Sequence, residues 1–216
     1  MDQYTDEAIY LIKPDGYPTP FKVKCSGGGG GGGHFNVKPR VTHIQRNSFA
    51  CCPSTSFNQS WAAYREGFGD RDKFSCSYWL GNEKLAAMTA QKSYKLTIYV
   101  SKRHWTKKKA FYTNFSVANQ SSNFKMQYSS FENAGFFNFL ELDDGFTAAN
   151  ALNQNLKGAQ FYTYDYDNVG KCAATLGSGW WFDTDCARVN LNTDHDPQWY
   201  IGGTLKTFQH AYMYLE

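Results

Sequence analysis

Apolar and polar positions alternate most clearly where Tyr94, Leu96, Ile98 and Val100 are interleaved with Lys95, Thr97 and Tyr99. A period of two sends successive side chains to opposite faces, so this stretch predicts a half-buried strand. Phe111, Thr113, Phe115 and Val117 repeat the pattern, and Phe124, Met126 and Tyr128 give a third strand. The basic run between the first two, Lys102 to Lys109, contains Trp105 and would suit a phosphate backbone. Its place between two strand patterns reads instead as a solvated hairpin turn.

Upstream, Ile9 to Ile12 and Phe21 to Cys25 predict two short strands joined by Pro-Asp-Gly and Pro-Thr-Pro turns, and Val41 to Arg46 predicts another. Phe57, Trp61 and Tyr64 recur at the spacing of one helix face, with Gly67 where a C-terminal cap belongs. That aromatic stripe reads as core. A second helix is predicted to start with Asn82 as its cap and to bury Leu85 and Met88. After Glu132 the periodicity fades into Gly, Asn and Asp, and only Ala148 to Leu156 suits a short helix. The expected plan is a sheet-and-helix body followed by a loop-rich C-terminal third, where binding residues should lie. Seven glycines, Gly27 to Gly33, lack the Lys-Ser/Thr that a phosphate loop needs, and read as a flexible surface loop. No fixed-period repeat is apparent.

With 216 residues, 18% aromatic and 19% charged, the chain can bury a core and is not of disordered type. A net charge of +3 neither implies nor excludes a nucleic-acid partner. No apolar run approaches the roughly 20 residues that span a bilayer. The N-terminus, MDQYTDEAIYLIK, is not a signal peptide as written, so either a leader has been removed or the chain is cytosolic. Six cysteines (Cys25, Cys51, Cys52, Cys76, Cys172 and Cys186) show no C-x-x-C spacing, and the even count is compatible with disulfides. Three N-x-S/T acceptors, at Asn58, Asn114 and Asn119, join the cysteines in favouring a secreted, mature protein.

The chemistry concentrates in Cys172 to Cys186, CAATLGSGWWFDTDC, which follows an acidic-aromatic run from Tyr162 to Asn168. Two readings stand: a pinned binding loop, or a staple whose tryptophans belong to the core. Catalytic signatures are missing. The histidines His34, His43, His104, His195 and His210 form no H-E-x-x-H, and no G-x-S-x-G occurs. Asp143–Asp144 and Asp183–Asp185 are too close in sequence to flank a scissile bond from opposite faces. The expectation is a binding protein, not an enzyme.

Several stretches then occur in a recognisable order: IYLIKPDGYPTPFKVKC (9–25), THIQRN (42–47), WAAYREGFGD (61–70) and YWLGNEKLAAMT (78–89), followed by SYKLTIYV (93–100) and FYTYDYDN (161–168). The Cys172–Cys186 stretch with GSGWW and VNLN (189–192) completes the set. In these the chain resembles the fibrinogen-related domains, which include fibrinogen C-terminal domains, ficolins, tachylectins and snail and slug lectins. The resemblance implies one α+β domain over residues 1–216, with a twisted antiparallel sheet and a loop-rich C-terminal ligand-binding subdomain. It also implies a Cys172–Cys186 disulfide and a cis peptide at Asp185–Cys186 that turns the amides of Cys186 and Ala187 toward an acetyl or carboxylate oxygen.

This sequence departs from the family pattern in the pocket. Leu176 stands where a Tyr is common, Ala187 where a His is common, and the segment after VNLN is short. The expected carbohydrate-binding set is therefore Leu176, Trp180, Asp185, Cys186, Ala187 and Arg188, with His195, Trp199 and Tyr200 as a replacement wall. Arg188 offers a bidentate clamp for a carboxylate, although pairing with Asp183 or Asp185 is an equal rival. Asp165 and Asp167 match the start of the family's calcium motif, but Val169 replaces a later Asp. Calcium is expected to bind weakly or not at all, and no cofactor is required. The cysteine partner that the family supplies upstream of Cys25 is missing from this sequence, so Cys25, Cys51, Cys52 and Cys76 must pair differently, within or between subunits. The resemblance points to a secreted lectin for sialylated or N-acetylated glycans, acting as a homodimer or larger, without nucleic acid or membrane insertion. The alternative is a protein- or peptide-binding adhesion module, with Asp183, Asp185, Asp194 and Asp196 receiving an amine.

Overall fold

The computed structural model describes residues 7–27, 41–48, 55–73, 76–102, 106–133, 142–147, 155–166, 170–184, 186 and 189–216. The strands of the first part are β1 (Glu7–Ile12), β2 (Phe21–Ser26), β3 (Val41–Ser48), β4 (Phe68–Gly69), β5 (Tyr78–Trp79), β6 (Tyr94–Lys102), β7 (Thr106–Val117), β8 (Met126–Gln127) and β9 (Phe131–Asn133). Then follow β10 (Phe161–Tyr162), β11 (Trp180–Trp181), β12 (Gln198–Ile201), β13 (Thr204–Thr207) and β14 (His210–Leu215). The α-helices are short: α1 (Trp61–Glu66), α2 (Asn82–Thr89) and α3 (Cys172–Leu176). The architecture is mostly antiparallel β-sheet with few helices.

The main sheet runs β1-β2-β3-β14-β6-β7-β8, with β4, β5 and β9 attached at its sides. The alternation at 94–100 is explained by this sheet. Leu96, Ile98 and Val100 are fully buried, and β7 returns antiparallel with Ala110 and Tyr112 on the core side. The basic run is only in part a turn. Lys107, Lys108 and Lys109 belong to β7, opposite Ser101, Val100 and Tyr99.

The largest departure from the sequence reading is β14. The last strand of the supposedly irregular third inserts at the centre of the sheet, between β3 and β6. Ala211, Met213 and Leu215 are buried there, an alternation that HAYMYL carried in plain view. The β12–β13 hairpin was missed as well, although Gly202–Gly203 marks its turn and both residues have positive φ.

Both helical ends are settled by backbone chemistry. Ser60 caps α1 by accepting the Ala63 N–H, so Phe57 lies before the helix and not on its face. Asn82 is not the cap of α2. Gly81 holds that place at φ 116, and the Asn82 carboxamide accepts the Trp79 indole N–H at 2.9 Å. A side chain at Gly81 would reach within 2.6 Å of the Glu66 carbonyl oxygen, so only glycine fits. Leu85 and Met88 are buried as expected. Phe124 is buried but lies in a turn at φ 49, ahead of the two-residue β8. The helix expected at 148–156 and the glycine run at 27–33 fall almost wholly outside the described residues.

Cys172 and Cys186 form a disulfide, and Cys76 is disulfide-bonded too. Cys25 is a free, buried thiol beside the Thr42 hydroxyl, and burial raises its pKa. Cys51 and Cys52 lie outside the described residues.

Candidate functional site

The Cys172–Cys186 loop is built from the inside outward. The disulfide holds its ends at a Cα–Cα distance of 5.1 Å, and α3 fills the first half. Gly177 closes α3 in the left-handed region, its N–H donating to the Ala173 carbonyl. Gly179 then passes so close to Tyr64 that an added Cβ would lie 2.4 Å from the ring. Its N–H donates to the Tyr64 hydroxyl, which itself donates to the Phe57 carbonyl at 2.7 Å.

VNLN is the matching strap. The Asn192 carboxamide donates to the Gly179 carbonyl, Asn190 donates to Ser178, and Gln45 and Asn47 on β3 both donate to the Leu191 carbonyl at 3.0 Å. Each bond satisfies a buried backbone or amide group that would otherwise cost about 1–3 kcal/mol. These motifs are joints of the fold.

That changes the expected sugar wall. Trp180 and Trp199 are fully buried and Tyr200 nearly so, and none offers a ring face to a ligand. Trp199 packs against Gly145 and donates its indole N–H to the Asp143 carbonyl. Cys186 does have a left-handed backbone, but its N–H donates to the Asp183 carbonyl at 3.3 Å, which commits that amide to the loop's own turn. Leu176 and His195 are exposed. Asp185, Ala187 and Arg188 lie outside the described residues, so the clamp, the second amide and the Asp185–Cys186 peptide do too. Asp194 is engaged: its carboxylate accepts the Phe57 N–H and the Ser56 hydroxyl, both at 2.5 Å.

The acidic-aromatic run proves to be a tight turn. Thr163 and Tyr166 exchange backbone hydrogen bonds across it, and Asp165 Oδ1 accepts the Thr163 hydroxyl and the Trp61 backbone N–H, both at 2.8 Å. Asp165 thus caps the first turn of α1, where free N–H groups and the positive end of the helix dipole favour a carboxylate. One oxygen of Asp165 is thus committed to two donors, and Asp167 and Val169 lie outside the described residues.

The same turn presents the exposed aromatic surface. Tyr166 lies against Trp61 at 4.4 Å between ring centroids, and Trp61 lies against buried Phe124 at 5.4 Å. The Tyr166 hydroxyl donates to the Asn123 side chain at 3.1 Å, which fixes the outer ring. Tyr166 is 44% exposed, and its turn neighbour Tyr164 is 49% exposed. A ladder of rings therefore rises from the core to the surface with little freedom left to lose on binding. Rigid, half-exposed aromatics of this kind are typical anchors of binding surfaces. The sequence signal was present in Tyr-Asp-Tyr-Asp, but its acids drew attention to metal binding.

A second exposed apolar stretch is the edge strand β1, with Ile9, Tyr10 and Leu11. It borders a cavity of about 330 Å³ lined mainly by apolar side chains and the Cys25 thiol.

The site thus combines an antiparallel sheet, a disulfide-pinned C-terminal loop and a surface ladder of aromatics. Residues 3–208 match the family model of the fibrinogen beta and gamma chains, C-terminal globular domain, and the chain belongs to that family. It is 33% identical over 194 residues to human angiopoietin-1, covering 88% of this chain but 33% of that protein. To bovine fibrinogen-like protein 1 it is 32% identical over 204 residues, covering 88% of this chain and 57% of the relative. The chain thus spans about a third of the angiopoietins it matches. Among solved structures it is similar to lamprey fibrin D-dimer in complex with the peptide Gly-His-Arg-Pro-amide. That likeness has a TM-score of 0.76 at 25% identity and covers 98% of this chain and 69% of the other.

Proposed function

We propose that this chain is an extracellular protein- or peptide-binding module whose contact surface is centred on Tyr164, Tyr166 and Trp61. The observation that carries this reading is the ring ladder. Among the described residues, the large exposed rings of the C-terminal third stand on the 163–166 turn, Tyr166 held in place by Trp61, while the tryptophans expected to hold a sugar are buried. Two findings support a protein ligand over a sialylated glycan: the relatives include a fibrin that binds a peptide, and the Cys186 amide is already bonded within its own loop. Disulfides at Cys172–Cys186 and at Cys76 support an oxidising, extracellular setting.

The test is binding of the labelled chain to a panel of cultured cells pretreated with protease or with sialidase, each with and without EDTA. Binding abolished by protease, retained after sialidase, indifferent to EDTA and lost on Tyr166→Ala is the expected pattern. Loss after sialidase with survival after protease would overturn it in favour of a sialic-acid lectin.

A further inference from the structure

Three acceptor asparagines are exposed, and the fold treats them differently. Asn114 sits inside β7, its side chain taking the Ser93 hydroxyl and donating to Ser129 at 3.0 Å. Asn119 accepts the hydroxyl of its own acceptor triplet, Ser121, at 2.7 Å. Asn58 alone of the three has a carboxamide whose oxygen and nitrogen both make no hydrogen bond among the described residues, whereas Asn119 lacks one only at Nδ2. It also stands at a crossing. Ser56 and Phe57, just before it, hold Asp194, and Ser60 and Trp61, just after it, begin α1. A Cβ at Gly177, the left-handed residue closing α3, would lie 3.9 Å from the Asn58 carboxamide. Glycine there leaves open space beside Asn58, next to exposed Leu176.

We infer that Asn58 carries an N-linked glycan whose first sugars lie along Leu176–Gly177, at the border of the aromatic surface, and shield it. In attachment, Nδ2 forms a bond to the anomeric carbon of a polyisoprenyl-diphosphate oligosaccharide. The bond from that carbon to the diphosphate oxygen breaks, the lipid diphosphate leaves with the electron pair, and Nδ2 gives up one proton. The folded chain accepts the product without losing a hydrogen bond, because that amide makes none. A sugar ring is apolar on its C–H face, so it gains from lying on Leu176 and costs little where glycine leaves room. Regulation of ligand access by this glycan rests on the proposed reading of the aromatic surface; occupancy and shielding do not.

Ser60 completes the acceptor triplet and also caps α1, so the test must separate the two roles. Asn58→Gln removes the acceptor and keeps the cap, and Ser60→Asp removes the triplet and keeps a capping side chain. The chain is expressed in a secretory eukaryotic host, its glycopeptides are mapped by mass spectrometry, and its surface is footprinted with hydroxyl radicals. The expected result is an occupied Asn58 in the parent chain. In both variants labelling of Leu176 and Trp61 should rise severalfold, with no such rise in Asn119→Gln. An unmodified Asn58 overturns the proposal, and so does equal labelling of parent and variants. If shielding is found but cell binding is unchanged by Tyr166→Ala, the glycan stands and the proposed ligand surface falls.

Discussion

Two aromatic-rich stretches lie within twenty residues of each other in the C-terminal third, and the fold uses them in opposite ways. In the Cys172–Cys186 loop, Trp180 and Trp181 are fully buried, and the Trp181 indole N–H donates to the Phe124 carbonyl. In the 163–166 turn, Tyr164 and Tyr166 are exposed; Trp61 and Asn123 fix the Tyr166 ring, and Asp165 ties the turn to α1. The first stretch spends its aromatics on joining the C-terminal loops to the body. The second uses one carboxylate and one ring contact to hold its aromatics outward. Motif density therefore marks the joint, and the surface sits on plainer sequence beside it.

The comparison breaks most directly at Trp180. Trp180→Ala removes a fully buried indole in contact with Trp181 and near Phe146, and a cavity that size costs about 3–5 kcal/mol. Urea unfolding should show a large fall in midpoint with an unchanged slope. If the loop were a ligand wall instead of a joint, stability would hold and only binding would fall.

Next in size is a pH effect that belongs to the body alone. His43 is buried beside Arg46 and Lys24, with the Ser26 hydroxyl 2.9 Å from Nε2, and burial lowers its pKa from 6.5 to about 3. The unfolded chain binds a proton that the folded chain refuses, so stability is intact above about pH 6.5 and falls as pH drops toward 3, by up to about 4 kcal/mol. Denaturant titrations at pH 7 and pH 4.5, compared with His43→Gln, check this. The variant should lose most of the acid dependence, leaving the rest to carboxylates.

How far the sequence revealed this division can be judged residue by residue. The strands at 94–100 and 111–117 were legible because local alternation matches a sheet buried on one face. The α1 cap at Gly67 was legible because a helix C-terminus asks for a positive φ, here 95°. β14 was overlooked because its neighbours Gly202 and Gly203 and the acids before β12 read as loop, and its central position depends on pairing with β3 and β6, far away in sequence. The role of Asp165 was not legible at all. Two acids in a short run look like cation ligands, and only the fold brings the Trp61 N–H, 104 residues away, to one of them. Burial of Trp180 and Trp199 was a tertiary fact of the same kind.

A smaller effect probes the link between the 163–166 turn and α1. Asp165→Ala leaves the Trp61 N–H and the Thr163 hydroxyl without their acceptor, and loss of a cap of this type costs about 1–2 kcal/mol. Thermal unfolding should register a drop of a few degrees, about 2–4 °C per kcal/mol at this size. Asp165→Asn keeps an acceptor oxygen and should recover much of it, with or without EDTA. A loss in the Asn variant that calcium alone restores would mean that the carboxylate serves a cation and not the helix.

The smallest change in stability should carry the largest change in binding. Tyr164 is the most exposed ring of the turn, and the hydrogen bonds that shape the turn come from its neighbours Thr163, Asp165 and Tyr166. Tyr164→Ala is therefore expected to shift stability by no more than about 0.5 kcal/mol. If the turn is the contact surface, loss of an aromatic anchor at its tip should weaken cell binding by about 2 kcal/mol, roughly thirtyfold. Tyr166→Ala should weaken binding as much while costing more stability, since it also removes the contact with Trp61 and the hydrogen bond to Asn123. The pair separates the two ways a surface ring can matter. Equal binding loss with unequal stability loss places both rings in the interface. Full binding by Tyr164→Ala, with loss only in Tyr166→Ala, would mean that the ladder supports α1 and that the ligand is met elsewhere.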